Sequence, residues 1–156
     1  MDMKFNRREF LKTTAAAAAI LPTFNILSEE ANTIGPKDDQ VNVAVIGYGA
    51  EGEILTDAAM KIPGVRFHAV CDIWEYRRKM AKGRLKSLGH EVNVYEDYHE
   101  LLTAEDKNID CVIVATPDWM HAEITNACLR AGKHVYCEKE MSNQLEKAKT
   151  MVVAQR

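Results

Sequence analysis

From Val41 onward the chain alternates short apolar runs with longer stretches whose apolar positions recur every three or four residues. The runs VNVAVIG, VRFHAVCD, DCVIVAT and KHVYCE, starting at Val41, Val65, Asp110 and Lys133, read as strands, as does the shorter EVNVYEDY from Glu91. Between them AEGEILTDAAMK, WEYRRKMAKGRLKSLG, HELLTAED and HAEITNACLRAG carry helical periodicity, the last closed by Gly132, and NQLEKAKTMVVAQR from Asn143 predicts a final helix. VAVIG and CVIVAT are apolar on both faces, the pattern of strands covered by helices on both sides of a parallel sheet. Strand and helix in alternation, joined by right-handed crossovers, predict an α/β fold built on a doubly wound parallel sheet.

The first 40 residues do not share this pattern. NRREFLK from Asn6 is followed by the mildly apolar TTAAAAAILPTFNIL, broken by Pro22, which is the basic start and apolar run of an export signal. Arg7 and Arg8, with Phe10, Leu11 and Lys12 after them, resemble the twin-arginine signal, whose machinery carries folded proteins. A periplasmic or exported location follows, with the export machinery as a partner and coenzyme loaded before export. The expected organisation is a signal over 1–31, a polar linker over 32–40 and one domain over 41–156. Cleavage after Ser28 or Ala31 and retention as a membrane tether both stay open.

Composition narrows the class. The 156 residues are 47% hydrophobic and 28% charged, enough for one buried core. Lysine and arginine number 20 against 23 acidic residues, so the net charge of -3 gives no reason to expect a nucleic-acid partner. Cys71, Cys111, Cys128 and Cys137 lie in apolar segments without C-x-x-C spacing, which indicates buried free thiols and neither a zinc site nor a disulfide framework.

Gly47, Gly49 and Gly52 form G-Y-G-A-E-G between the first strand and the first helix. There Gly47 permits the tight turn, Gly49 lets the backbone approach a pyrophosphate, and Gly52 lets the helix pack on the strand. The helix N-terminus adds unpaired N–H groups and the positive end of its dipole. Glu51 and Glu53 beside a pyrophosphate must face solvent. Asp72, ending the second strand 25 residues after Gly47, stands where an acidic side chain accepts from the adenosine ribose hydroxyls. That favours NAD over NADP, although Arg77 and Arg78 close by are either a phosphate clamp or a solvated helix face.

Two more segments leave strands on the side where such sheets bind ligands. In ATPDWMH, Pro117 turns the chain out of the sheet, so that Thr116 and the polar residues after it face the crevice. His121 by itself reads as a helix-capping or internally satisfied histidine. In YCEKEMS, Glu138 and Lys139 by themselves read as a solvated ion pair.

Taken together, VAVIGYGAEG, CDIWEY, YEDYHELL, VIVATPDWMHAE and AGKHVYCEK resemble the N-terminal, NAD(P)-binding Rossmann domain of the glucose-fructose oxidoreductase, inositol dehydrogenase and MocA family, over roughly Val41 to Arg156. The resemblance implies hydride transfer between a nicotinamide coenzyme and a sugar or cyclitol carbinol. It implies that Gly47, Tyr48, Gly49, Glu51 and Gly52 hold the pyrophosphate, largely through backbone groups, and that Asp72 holds the ribose. Thr116, Pro117 and His121 would line the nicotinamide half, and Glu138 would touch the coenzyme. Lys139 matches the lysine of the family's Glu-Lys-Pro motif, which assists proton transfer at the substrate hydroxyl. Oxidising a carbinol needs such a proton acceptor, and a desolvated crevice disfavours the charged lysine.

Two departures stand out. Glu140 replaces the motif's proline, which removes a rigid turn and makes a cis bond there cost ~3 kcal/mol. Family members also continue into a further strand and a second α/β domain carrying substrate contacts, so the chain reads as the N-terminal half of a longer parent, a homo-oligomer by the same resemblance. The alternatives are an NAD-dependent glycosidase working by transient sugar oxidation and a nucleotide-binding module without turnover.

Overall fold

The computed structural model describes residues 40–156. The expected export signal and all but the last residue of the linker lie outside the described residues. Five strands, β1 (Val41–Ile46), β2 (Val65–Cys71), β3 (Asn93–Tyr95), β4 (Cys111–Val114) and β5 (His134–Cys137), form one sheet in the order β3-β2-β1-β4-β5. Every pairing is parallel. Helices α1 (Ala50–Ala59), α2 (Glu75–Ser87), α3 (Tyr98–Ala104), α4 (Asp118–Arg130) and α5 (Leu145–Gln155) follow the strands in turn.

The core divides by strand parity. Val43 and Val45 of β1 join Phe67, Ala81 and Leu85 on one face, whereas Ala44 and Ile46 join Leu101, Ile124 and Cys128 on the other. Thus α1 and α2 cover one side, α3 and α4 the other, and the doubly wound arrangement expected from two-sided apolar strands is present. On α2, Ala81 and Leu85 lie four apart on one stripe, and the complete burial of Leu85 contributes roughly 2 kcal/mol.

One irregularity breaks the parity. The β1–β2 register shifts between Val43 and Ala44, whose partners are Phe67 and Ala69. The additional β2 residue, His68, sends Phe67 and Ala69 to opposite core clusters although they are two apart. His68 Nε2 lies 3.4 Å from the buried carboxylate of Glu105, just beyond α3. That carboxylate also accepts from Tyr95 Oη at 2.5 Å and from the amides of Asn93 at 2.7 Å and Asn108 at 3.0 Å. Burial pushes the Glu105 carboxyl up, but these donors together with His68 bring it below its ordinary value.

Helix α4 starts three residues before the expected HAEITNACLRAG. Pro117, at the N-cap with φ -58°, already has the backbone angle a first helical turn accepts, so Asp118 to Met120 enter the helix instead of remaining in a loop. All four cysteines are free. Burial pushes the thiols of Cys71 and Cys128 up to about 12, so both stay protonated and unreactive at neutral pH.

Candidate coenzyme cleft

A cleft of about 350 Å³ opens over the C-terminal ends of β1, β2 and β4. It lies where the chain winds outward in opposite directions from β1, the usual ligand crevice of an open α/β sheet. Ile46, Gly47 and Gly49 form one wall, Ala115, Thr116 and Pro117 another, and Asp72, Ile73, Trp74 and Arg77 a third. Tyr98, Met120 and Ile124 close the apolar back.

The three glycines answer to different neighbours. At Gly47, with φ +91°, a Cβ would stand 2.7 Å from the Ala115 carbonyl group; at Gly52 it would stand 2.1 Å from the Gly47 carbonyl oxygen. Backbone packing therefore requires glycine at both. At Gly49 a Cβ would meet nothing within 4 Å. Its side faces open space at the N-cap of α1, where no side chain caps the helix and the first-turn amides have no intrahelical acceptors. This is a cradle for an anionic group that approaches the backbone.

Asp72 organises the opposite wall. Its Oδ2 accepts from the Tyr48 N–H at 2.8 Å and its Oδ1 from the Trp74 N–H at 2.9 Å, joining the glycine turn to the start of α2. Each carboxylate oxygen keeps a further lone pair for a hydroxyl donor. Arg77 is half-buried with Nη1 3.4 Å from Glu53 Oε1, so it is neither a free clamp nor a solvated face. Arg78 donates to the Asp72 carbonyl at 2.7 Å and pairs with Glu96 at 2.9 Å. The Thr116 hydroxyl is buried and has no hydrogen-bond partner, an orphaned donor in the cleft wall. Tyr98 donates to Glu123 at 2.8 Å, and burial and that bond raise its pKa, which leaves a protonated phenol.

Of the residues expected to hold a dinucleotide, Gly47, Gly49, Asp72, Arg77, Thr116 and Pro117 meet at the cleft. The others are placed differently. Tyr48 is fully buried in the core beside Phe67 and its amide is engaged by Asp72, so it has no free backbone donor for a pyrophosphate. Gly52 packs under the turn and Glu51 is exposed on α1, neither lining the cleft. His121 is only 2% exposed, and its ring nitrogens face the carbonyl oxygens of Thr116 at 2.7 Å and Glu140 at 2.6 Å, because the early start of α4 turns it inward. The internally satisfied reading fits these contacts, and His121 does not line the cleft.

Glu138 and Lys139 leave β5 one strand beyond the cleft. Glu138 donates its N–H to the Val114 carbonyl at 2.9 Å, and its side chain accepts from the Tyr136 hydroxyl and the Lys139 N–H. Lys139 is exposed, so the described residues do not form the desolvated crevice expected around it. The peptide between Lys139 and Glu140 is cis. The cleft positions of Ile73, Trp74, Tyr98 and Met120 were not anticipated; the signal for the first two was their place directly after Asp72, at the end of a strand neighbouring β1.

Residues 41–156 match the family model described as "Oxidoreductase family, NAD-binding Rossmann fold". The chain belongs to that family. Among curated relatives, a myo-inositol 2-dehydrogenase of Thermotoga maritima is 36% identical over 112 residues, 72% of this chain and 32% of the relative. A glycosyl hydrolase family 109 protein of Shewanella baltica is 32% identical over 161 residues, 90% of this chain and 35% of the relative. The crystal structure of a myo-inositol 2-dehydrogenase from Lactobacillus plantarum superposes with a TM-score of 0.66 at 29% identity, covering 74% of this chain and 32% of that one. The chain thus spans about a third of the length of these curated relatives.

Proposed function

We propose that the cleft holds NAD and that the whole protein moves a hydride between this coenzyme and a carbinol of a sugar or cyclitol. The observation that carries the reading is Gly49: glycine is placed where no protein atom requires it, at a bare helix N-terminus in a family whose fold binds NAD. The pyrophosphate lies against the backbone of Gly47 and Gly49 and the first-turn amides of α1. Asp72 accepts from the ribose hydroxyls, and its charge disfavours a 2′-phosphate, which makes NAD the preferred coenzyme and NADP the weaker one. Arg77 serves a phosphate only by leaving Glu53. Thr116 and Pro117 lie along the nicotinamide half, where the unpartnered threonine hydroxyl supplies a donor.

Bound NAD supplies the hydride acceptor. The chain's own part in the reaction is Lys139, whose Nζ takes the proton of the substrate hydroxyl from its place beside the cleft. The substrate class follows from the inositol dehydrogenase relatives. Arg7 and Arg8 support export of the folded, coenzyme-loaded protein by the twin-arginine route to the periplasm, and a homo-oligomeric whole protein rests on the family resemblance.

A second reading has its own support, because the match to the glycosyl hydrolase family 109 protein covers 90% of this chain. There NAD would oxidise the sugar transiently, the leaving group would be eliminated and the product reduced again. Titration calorimetry with NAD and NADP tests the binding step: heat with NAD and a weaker response with NADP are expected, and the absence of heat with either removes the reading. A sugar and cyclitol panel with the whole protein then separates the chemistries. Reduced coenzyme accumulates with a dehydrogenase, whereas a glycosidase releases aglycone without it.

A further inference from the structure

His121 occupies the first turn of α4, almost completely buried, between two strand ends. Its Nε2 lies 2.7 Å from the Thr116 carbonyl oxygen in the cleft wall, and its Nδ1 lies 2.6 Å from the Glu140 carbonyl oxygen, one residue past Lys139. Either tautomer donates to one of these carbonyls, and an imidazole protonated at both nitrogens donates to both. The ring is shielded from water, whereas Thr116 is half-buried and Glu140 exposed.

The segment held by this contact has little else to hold it. After Glu138 donates its last sheet bond to Val114, the other hydrogen bonds of residues 139–144 stay near the segment: the Lys139 N–H donates to the Glu138 side chain, the Gln144 N–H to Ser142 Oγ, and the Ala148 N–H of α5 to the Gln144 carbonyl. The bond between His121 and Glu140 is the one that ties this stretch to the body of the fold among the described residues. Lys139 and Met141 are exposed.

We propose that His121 is a positioning residue: it clasps the segment after β5 to the end of β4 and so fixes where Lys139 leaves the sheet, one strand from the coenzyme cleft. The role assigned to Lys139 rests on the function proposed above; the clasp itself rests on the two carbonyl contacts. The histidine reaches no reacting atom and acts through the backbone at Glu140.

The test is heteronuclear NMR on the full 156-residue chain and on His121→Phe, which keeps a ring but loses both ring nitrogens, and His121→Gln, which keeps one amide within reach. In the wild type the His121 ring N–H is expected to exchange slowly with water, and the backbone order parameters of residues 139–142 to stand near ~0.85. In His121→Phe those order parameters are expected to fall below ~0.6 while residues 47–52 keep theirs, with partial recovery in His121→Gln. NADH added to the wild type should shift Lys139 signals, and this response should vanish in His121→Phe with coenzyme affinity within about twofold of wild type.

A His121 ring proton that exchanges as freely as in an isolated imidazole overturns the clasp without any variant, should His121→Phe fail to fold. Residues 139–142 equally ordered in wild type and His121→Phe overturn it as well. NADH that leaves Gly47–Gly52 unmoved in the wild type counts against the coenzyme reading instead, and the order parameters still decide the clasp.

Discussion

The two halves of the sheet's ligand edge are built by different means. On the β1–β2 side the glycine turn is fixed several times over: Gly47 donates to the Cys71 carbonyl at 2.8 Å, Asp72 ties Tyr48 to Trp74, and Gly52 packs directly against Gly47. On the β4–β5 side Thr116 has an unused hydroxyl, Lys139 is exposed, and the segment after Glu138 meets the body of the fold at His121. The half that would grip a coenzyme is preorganised by its own backbone. The half that would handle the proton is lightly held. On the function proposed above, such a domain would separate binding, which needs rigidity, from chemistry, which needs a substrate to complete the site.

That contrast can be broken most directly at Gly52. An alanine Cβ there would stand 2.1 Å from a backbone oxygen, so Gly52→Ala is expected to cost about 3 kcal/mol in denaturant unfolding and to abolish NAD binding with it. Gly49→Ala sharpens the same point from the opposite direction: with nothing within 4 Å, stability should stay within about 0.5 kcal/mol, yet NAD affinity should fall at least tenfold by calorimetry. Equal losses of stability at the two positions would mean that fold packing, and no ligand, explains both glycines.

Away from the cleft, the Glu105 cluster offers a purely structural counterpart. Glu105→Ala leaves Tyr95, Asn93 and Asn108 without their shared acceptor and should also cost about 3 kcal/mol, with NAD affinity in the folded fraction unchanged. Because the folded carboxyl titrates below its ordinary value of 4.5, its contribution is complete above that pH and is lost as pH falls through 4.5 toward the lower folded value. Thermal melts of the wild type should therefore lose stability in that acid range more steeply than those of Glu105→Gln. A parallel pH dependence in the two proteins would remove Glu105 from the acid transition.

Asp72→Ala should have a smaller, mixed effect. It removes two hydrogen bonds to backbone amides, about 1 to 2 kcal/mol, and it should weaken NAD more than NADP because the lost carboxylate repelled only the 2′-phosphate. Equal losses for the two coenzymes would take Asp72 away from the ribose. The smallest change is expected at Thr116→Val: the hydroxyl has no partner, so stability should hold or rise slightly while NAD affinity drops a few-fold.

The glycine turn, the acidic residue at the end of the second strand and the alternation of strand and helix were legible in the chain because each depends on neighbours near in sequence or on a strict apolar period. The exact footprint of the site was less so. Tyr48 stands inside the glycine motif, yet its ring fills the core beneath α2 and its amide belongs to Asp72, which is 24 residues away. His121 follows Thr116 by five residues and was expected in the cleft, but Pro117 admits Asp118 straight into α4 and rotates the ring inward. Trp74, Tyr98 and Met120 enter the cleft from three different elements, which no single motif links.

By itself, the order of apolar and polar residues determined the alternating strands and helices, the two-sided burial of β1 and β4, and the glycine positions, since backbone sterics and hydrophobic period act over a few residues. Tertiary structure decided which oxygens and nitrogens face each other: Asp72 to Tyr48, Glu105 to His68, His121 to Glu140. Those contacts join residues 19 to 37 positions apart, and hydrogen bonds form only where packing brings a donor within about 3 Å of an acceptor.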